Sequence, residues 1–199
     1  MRAVGSASSY PAPGPSASPP AGRPERRGLA WPERTVHACS GRRVGLSRAE
    51  AQLLIFLDFD GVLRCQGKAL FVLEAHLVAR FERTLRELPG VEVVISSSWR
   101  GAFPLDEIVA LFSPDIRPRI IGATPTLLER LPFRRDREVL AYLADSGQAG
   151  RAWVAIDDQR EHYRERPNLL IVDERTGFDE DAATWLVAMA RRYGVVGER

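Results

Sequence analysis

From Leu53 onward the chain alternates between two kinds of apolar pattern. LLIFLD (53–58) and VEVVIS (91–96) are short, continuous apolar runs, as expected of strands buried on both faces. WVAIDD (153–158) and NLLIVD (168–173) repeat that pattern, and RIIGATP (119–125) reads as a shorter strand entering a turn. Between these runs the period changes. Leu73, Leu77, Phe81, Leu85 and Leu88 recur every three or four residues, which predicts an amphipathic helix over 73–88 closed by Pro89-Gly90. A second helix over 104–112 opens at a proline. A third over 135–145 turns Val139, Leu140 and Leu143 inward and ends near Gly147. A last helix over about 179–193 begins with Asp179, Glu180 and Asp181, acids that suit a helix N-terminus. Strands alternating with helices predict an α/β chain with a Rossmann-like three-layer α/β/α arrangement around a central parallel sheet. Ligand sites in such sheets lie beyond the carboxyl ends of the strands.

Residues 1–50 follow neither pattern. They hold half of the fourteen prolines, mixed with Ser, Ala and Gly, a composition too poor in apolar side chains to offset the entropy of ordering. We read 1–50 as a disordered extension and 51–199 as the folded domain, with a short helical lead-in at the capping-box pattern Ser47–Glu50. Charge follows the same division. The extension carries eight arginines against three acids, so the net charge of +2 hides a slightly acidic domain. No run of eighteen apolar residues is present, which argues against a membrane span, and the absence of an apolar leader favours a cytoplasmic protein. Cys39 and Cys65 lie in unlike contexts and read as free thiols. His37, His76 and His162 have no metal-ligand spacing.

Polar residues that a core would not choose end three of the predicted strands. The first runs into Asp58-Phe59-Asp60-Gly61. On an extended chain residues two apart share a side, so both carboxylates would face one way while Phe59 enters the core. Paired carboxylates repel unless a cation intervenes, and Mg²⁺, which prefers hard oxygen ligands, is the expected one. Gly61 gives the backbone freedom for a sharp exit. Ser96-Ser97-Ser98 ends the second strand with hydroxyls able to bond a phosphoryl oxygen. Asp157-Asp158 ends the fourth. A calcium loop is a poor fit to DxDG here, because the later acids and the glutamate are missing.

In order and placement these motifs resemble the haloacid dehalogenase (HAD) superfamily of aspartyl phosphotransferases: FLDFDGVL as the first motif, VVISSSW as the second, WVAIDD as the fourth. The run of DFDGVL, SSSWR, IIGATP and R-x-x-E-V-x-x-Y-L is similar to the HAD domains of "Swiss army knife" RNA-repair proteins, over about residues 53–190. That resemblance implies Asp58 as nucleophile and Asp60 as general acid and base. It implies Mg²⁺ held by Asp58, by Asp60 through its backbone carbonyl, and by Asp157 or Asp158. Ser97, with Ser96 as alternative, would bond the phosphoryl group, alongside Ser98, Gly61 and Arg100. The usual lysine of the third motif has no counterpart, since Lys68 is the only lysine and lies in the wrong place. Arg135 is the expected replacement, with Arg134 and Arg137 as rivals. Trp99 is expected to pack under the site, and Arg100 either binds phosphate or pairs with an acid. Asp173 lies near the site or on the surface, and Gly177 serves a turn. The short connections leave no room for a cap domain, so the site would admit bulky phosphorylated substrates such as nucleic-acid ends or nucleotides. The rival expectation is a non-catalytic phosphate-binding module on the same fold.

Overall fold

The structure is a computed structural model that describes residues 53–127 and 131–195. The expectations for residues 1–50, including the Ser47 lead-in, Cys39 and His37, lie outside the described residues. Five strands form one parallel sheet: β1 (Leu53–Leu57), β2 (Val91–Ile95), β3 (Ile120–Ala123), β4 (Ala152–Asp157) and β5 (Leu169–Ile171). Their order is β3-β2-β1-β4-β5, so β1 is central and every residue in it is buried, as its unbroken apolar run requires.

Four helices cover the two faces: α1 (Ala75–Arg86), α2 (Leu105–Ala110), α3 (Arg134–Asp145) and α4 (Glu180–Arg192). The alternation along β1 divides the core. Leu53, Ile55 and Leu57 pack with Leu77, Phe81 and Leu85 of α1, Ile108 of α2 and Leu186 of α4. Leu54 and Phe56 pack with Val139 and Leu143 of α3 on the other side. This is the expected three-layer fold. Among the described residues, no helix is long and apolar enough to cross a membrane.

Chain order reverses at β1, with β2 on one flank and β4 on the other, so the crevice between the carboxyl ends of β1 and β4 is a topological switch point. Among the described residues, the connections 58–74 and 124–133 contain only turns, one isolated bridge and irregular backbone, with no cap domain.

Several boundaries differ from the sequence expectation. The first helix starts at Ala75, because the backbone of Glu74 is extended, and Leu73 packs from the preceding connection. Leu140 does not turn inward; it is 40% exposed, one position off the buried stripe of α3. Asp179 caps α4 by accepting a bond from Ala182 N at 2.9 Å.

Candidate active site

The end of β1 builds the site. Asp58 donates its backbone N–H to Ile156 O of β4, and Ser96 donates its own to Leu57 O, so the strand still pairs on both sides where the acid emerges. The chain then turns sharply. Phe59 O accepts from the N–H groups of Val62, Leu63 and Arg64, and Gly61 adopts φ +74°. A Cβ on Gly61 would collide with the carboxylate of Asp158. The glycine therefore does two things: it permits the turn, and it lets the loop after β1 close against the second acid after β4.

Asp58, Asp157 and Asp158 converge, each offering an oxygen within 4.8 Å of the others. Asp58 and Asp157 are almost fully buried, and Asp158 is half-buried. Burial raises the pKa of all three, with Asp58 adding repulsion to both Asp157 and Asp158. Asp157 lies well above the usual carboxylate range. Its oxygens are engaged by Gln159 N–H and by Tyr163 O–H, both at 2.9 Å. Asp158 Oδ1 is buried and has no hydrogen-bond partner.

Among the described residues, one cation stands between these acids. Arg135, on the first turn of α3 and nearly buried, reaches Asp58 Oδ1 at 3.5 Å and Asp157 Oδ2 at 3.9 Å, and it donates to Ser96 O. Burial works against its charge, but Asp58, Asp157, Tyr163 and Glu138 outweigh that and raise its pKa. Of the three candidate arginines, Arg135 is the one brought to Asp58; Arg137 donates to Pro132 O. One guanidinium against three carboxylates leaves excess negative charge. With the orphaned oxygen of Asp158, that makes the cluster a fit for a hard divalent cation.

Asp60 is not in that cluster. Its Oδ1 accepts from Arg64 Nε at 2.6 Å, and its Oδ2 accepts from Trp99 Nε1 at 3.1 Å. The same-side argument assumes extended backbone, but the chain leaves the strand after Leu57 and turns at Phe59. Phe59 does enter the core, edge-on to Trp99. Trp99 packs beneath the site as expected, and it also fixes a carboxylate.

The serines divide. Ser97 is fully buried, its side chain works to lower the pKa of Asp58, and its Oγ accepts from Trp99 N. Ser96 is buried with Oγ unpartnered. Ser98 is exposed on a 3₁₀ turn. Arg100 has its fork spent inside the protein, on the carbonyls of Ser96, Ser97, Thr124 and Pro125 and on Glu138 Oε2 at 2.6 Å. Of the two roles foreseen for it, it takes the pairing with an acid. Asp173 is exposed and caps its own turn through Arg175 N. Gly177, at φ +62°, sits where a Cβ would meet Val62 O.

Three side chains around the site had no role assigned from sequence. Glu138 was visible in R-x-x-E-V, but nothing in the spacing named Arg100 as its partner. Tyr163 and Arg64 carry no local signal at all.

The sequence profile of the HAD domain in Swiss Army Knife RNA repair proteins matches residues 54–183. The chain belongs to that family. The matched segment runs from β1 into the first turn of α4 and includes every acid described above. Its kind is that of hydrolases of phosphoric esters. Among curated proteins and among solved structures, none matches the chain. Within this HAD domain the motif residues Asp58, Ser97, Arg135 and Asp157 meet at the carboxyl edge of β1, β2 and β4 and the first turn of α3.

Proposed function

We propose that this HAD domain is a Mg²⁺-dependent phosphohydrolase that works through an aspartyl-phosphate intermediate, on bulky phosphorylated substrates such as nucleic-acid ends. The observation that carries the reading is the convergence of Asp58, Asp157 and Asp158 around one buried arginine at the switch point of the sheet. Asp58 and Asp158 would hold Mg²⁺ directly, because Asp158 Oδ1 lacks a partner, while Asp157, with both oxygens already engaged, would support the metal site as the carboxylate packed against those two. When bound, the ion neutralises charge between an anionic nucleophile and an anionic substrate.

Asp58 attacks phosphorus, the bond to the leaving oxygen breaks, and Asp60 gives that oxygen its proton. Asp60 then takes a proton from water as the water oxygen attacks the same phosphorus. The bond to Asp58 breaks, freeing the carboxylate and inorganic phosphate. Trp99 and Arg64 keep Asp60 on the leaving-group side. Ser97 and Arg135 bind the phosphoryl oxygens, and Arg135 offsets charge on phosphorylated Asp58 as a lysine does in other HAD proteins. Among the described residues the connections add no cap over the crevice, which suits a polymer end.

The test is phosphate release from an aryl phosphate with Mg²⁺. The wild-type chain should turn over, and Asp58→Asn, checked for native circular dichroism, should lose at least about a thousandfold. Turnover that survives Asp58→Asn would remove the mechanism.

A further inference from the structure

The leaving group of this reaction must lie against Asp60, so the surface beside Asp60 governs what can leave. That surface is aromatic. Trp99, which donates to Asp60 Oδ2, is packed edge-on by Phe71 with ring centroids 5.3 Å apart, and Phe71 packs on Phe103 at 5.0 Å. Phe71 lies in the connection between β1 and α1 and is 50% exposed, flanked by Leu70 at 73% and Val72 at 57%. Three consecutive exposed apolar side chains on the connection that follows Asp60 are not explained by the fold, since none of them enters either core cluster fully. The backbone of Phe71 is also unusual. Its φ is +57°, a left-handed conformation that bulky residues rarely adopt and that holds only where the surroundings enforce it.

Behind the ring lies a cleft of about 130 Å³ lined by Phe71, Trp99, Phe103, Glu107, Ile108 and Leu111. That is close to the roughly 150 Å³ of a cavity able to take benzene, so the cleft suits one flat ring rather than a protein segment. Two features say which ring. First, the indole of Trp99 stands between Asp60 and Phe71, so a ring on Phe71 is separated from the reacting oxygen by a spacer and is not bonded to it as in a phosphotyrosine. Second, the same connection carries the chain's single lysine, Lys68, exposed three positions before Phe71. A positive charge and an exposed aromatic carried on one short connection are the two elements that hold single-stranded nucleic acid, backbone to the charge and base to the ring.

We propose that Phe71 is the stacking platform for the nucleobase nearest the reacting phosphate, which makes it a specificity-determining residue of this HAD domain. The proposal rests on the phosphohydrolase reading for the position of the leaving group. Glu107, an acceptor-only side chain at the rim, would favour bases that present an amino group.

The test is a binding measurement on the full chain carrying Asp58→Asn, with Mg²⁺, so that no substrate is consumed. Fluorescence anisotropy is read with short oligonucleotides phosphorylated at the 3′ or the 5′ end, whose terminal nucleotide either keeps its base or is abasic. The base-bearing end should bind about tenfold tighter at one of the two termini. Adding Phe71→Ala should erase that difference, and Phe71→Trp should keep it. A chain that does not distinguish base-bearing from abasic ends, or binds neither, overturns the proposal. So does a Phe71→Ala chain that weakens both ends equally, because that result marks the ring as mere support for Trp99. Turnover of the aryl phosphate by the chain with Asp58 intact reports on the catalytic reading separately. Aryl turnover without base dependence sinks this proposal alone, and base-dependent binding without turnover sinks the catalytic reading alone.

Discussion

Arg100 offers the sharpest test of how the site is held together. Its guanidinium gives Nε to Thr124 O at 2.9 Å, Nη1 to Ser96 O and Ser97 O, and Nη2 to Pro125 O and Glu138 Oε2. Glu138 is fully buried, accepts from Leu127 N at 3.1 Å with its other oxygen, and lies 3.6 Å from Arg135. One side chain thus ties the ends of β2 and β3 to α3, which carries Arg135. Replacing Arg100 with Ala strands Glu138 as a buried anion and removes donors from four carbonyls. Breaking a buried pair in this way costs about 3–5 kcal/mol. For a domain of this size that is a fall in Tm of roughly 6–20 °C. Glu138→Ala should cost a similar amount, because it leaves two buried guanidinium groups facing each other. The double variant Arg100→Met/Glu138→Leu strands neither charge, and it should be more stable than the sum of the single losses by at least about 1 kcal/mol. Thermal unfolding followed by circular dichroism reads all four proteins. A phosphate-binding Arg100 would behave in the opposite way, with Tm hardly moved and KM raised. An Arg100→Ala protein melting within about 2 °C of wild type would refute the structural role.

Tyr163→Phe removes the donor to Asp157 Oδ2 and should weaken Mg²⁺ binding about 10- to 100-fold by calorimetry while the fold persists. Unchanged affinity would show that Asp157 needs no such support. Gly61→Ala forces a Cβ into the Asp158 carboxylate at a positive φ, so Mg²⁺ affinity and turnover should both fall together. Metal-free stability should depend on pH with a definite sign. Burial holds Asp58, Asp157 and Asp158 above their unfolded pKa, so the folded chain binds their protons more tightly, and their contribution favours folding at low pH and is lost as pH rises through the unfolded value toward the folded one. The Tm gained on adding Mg²⁺ should therefore be larger at about pH 7.5 than at about pH 5, and an equal gain would refute the assignment of these acids to the metal site.

What the sequence made legible was whatever depends on local pattern. A short unbroken apolar run ending in an acid, set between helical patterns, reads as a doubly buried strand that delivers a carboxylate to its carboxyl edge, and β1 with Asp58 and β4 with Asp157 follow that pattern. Periodicity located α3, and with it Arg135, but the stripe was drawn one residue too wide and took in Leu140. Asp60 marks where local reasoning stops. The rule that alternate residues share a side holds only while the chain is extended, and three N–H groups converging on Phe59 O end the extension one residue too soon. Its carboxylate turns toward Trp99 and Arg64, and neither partner could be named without the turn.

The same limit explains the arginines. In sequence, Arg100 and Arg135 are equivalent cations beside phosphate-binding motifs. Packing separates them, because the carboxylate of Glu138, thirty-eight residues from Arg100, takes up the fork of one and stands beside the other. Once Arg100 is spent on four carbonyls and Glu138, Arg135 is the one arginine among the described residues that reaches Asp58 and Asp157 together. One permanent positive charge cannot balance three carboxylates, and burial removes water as a substitute. Burial raises the pKa of all three acids in the metal-free chain, and a divalent cation would supply the missing positive charge. Charge balance thus supports the proposed Mg²⁺ dependence before any appeal to family.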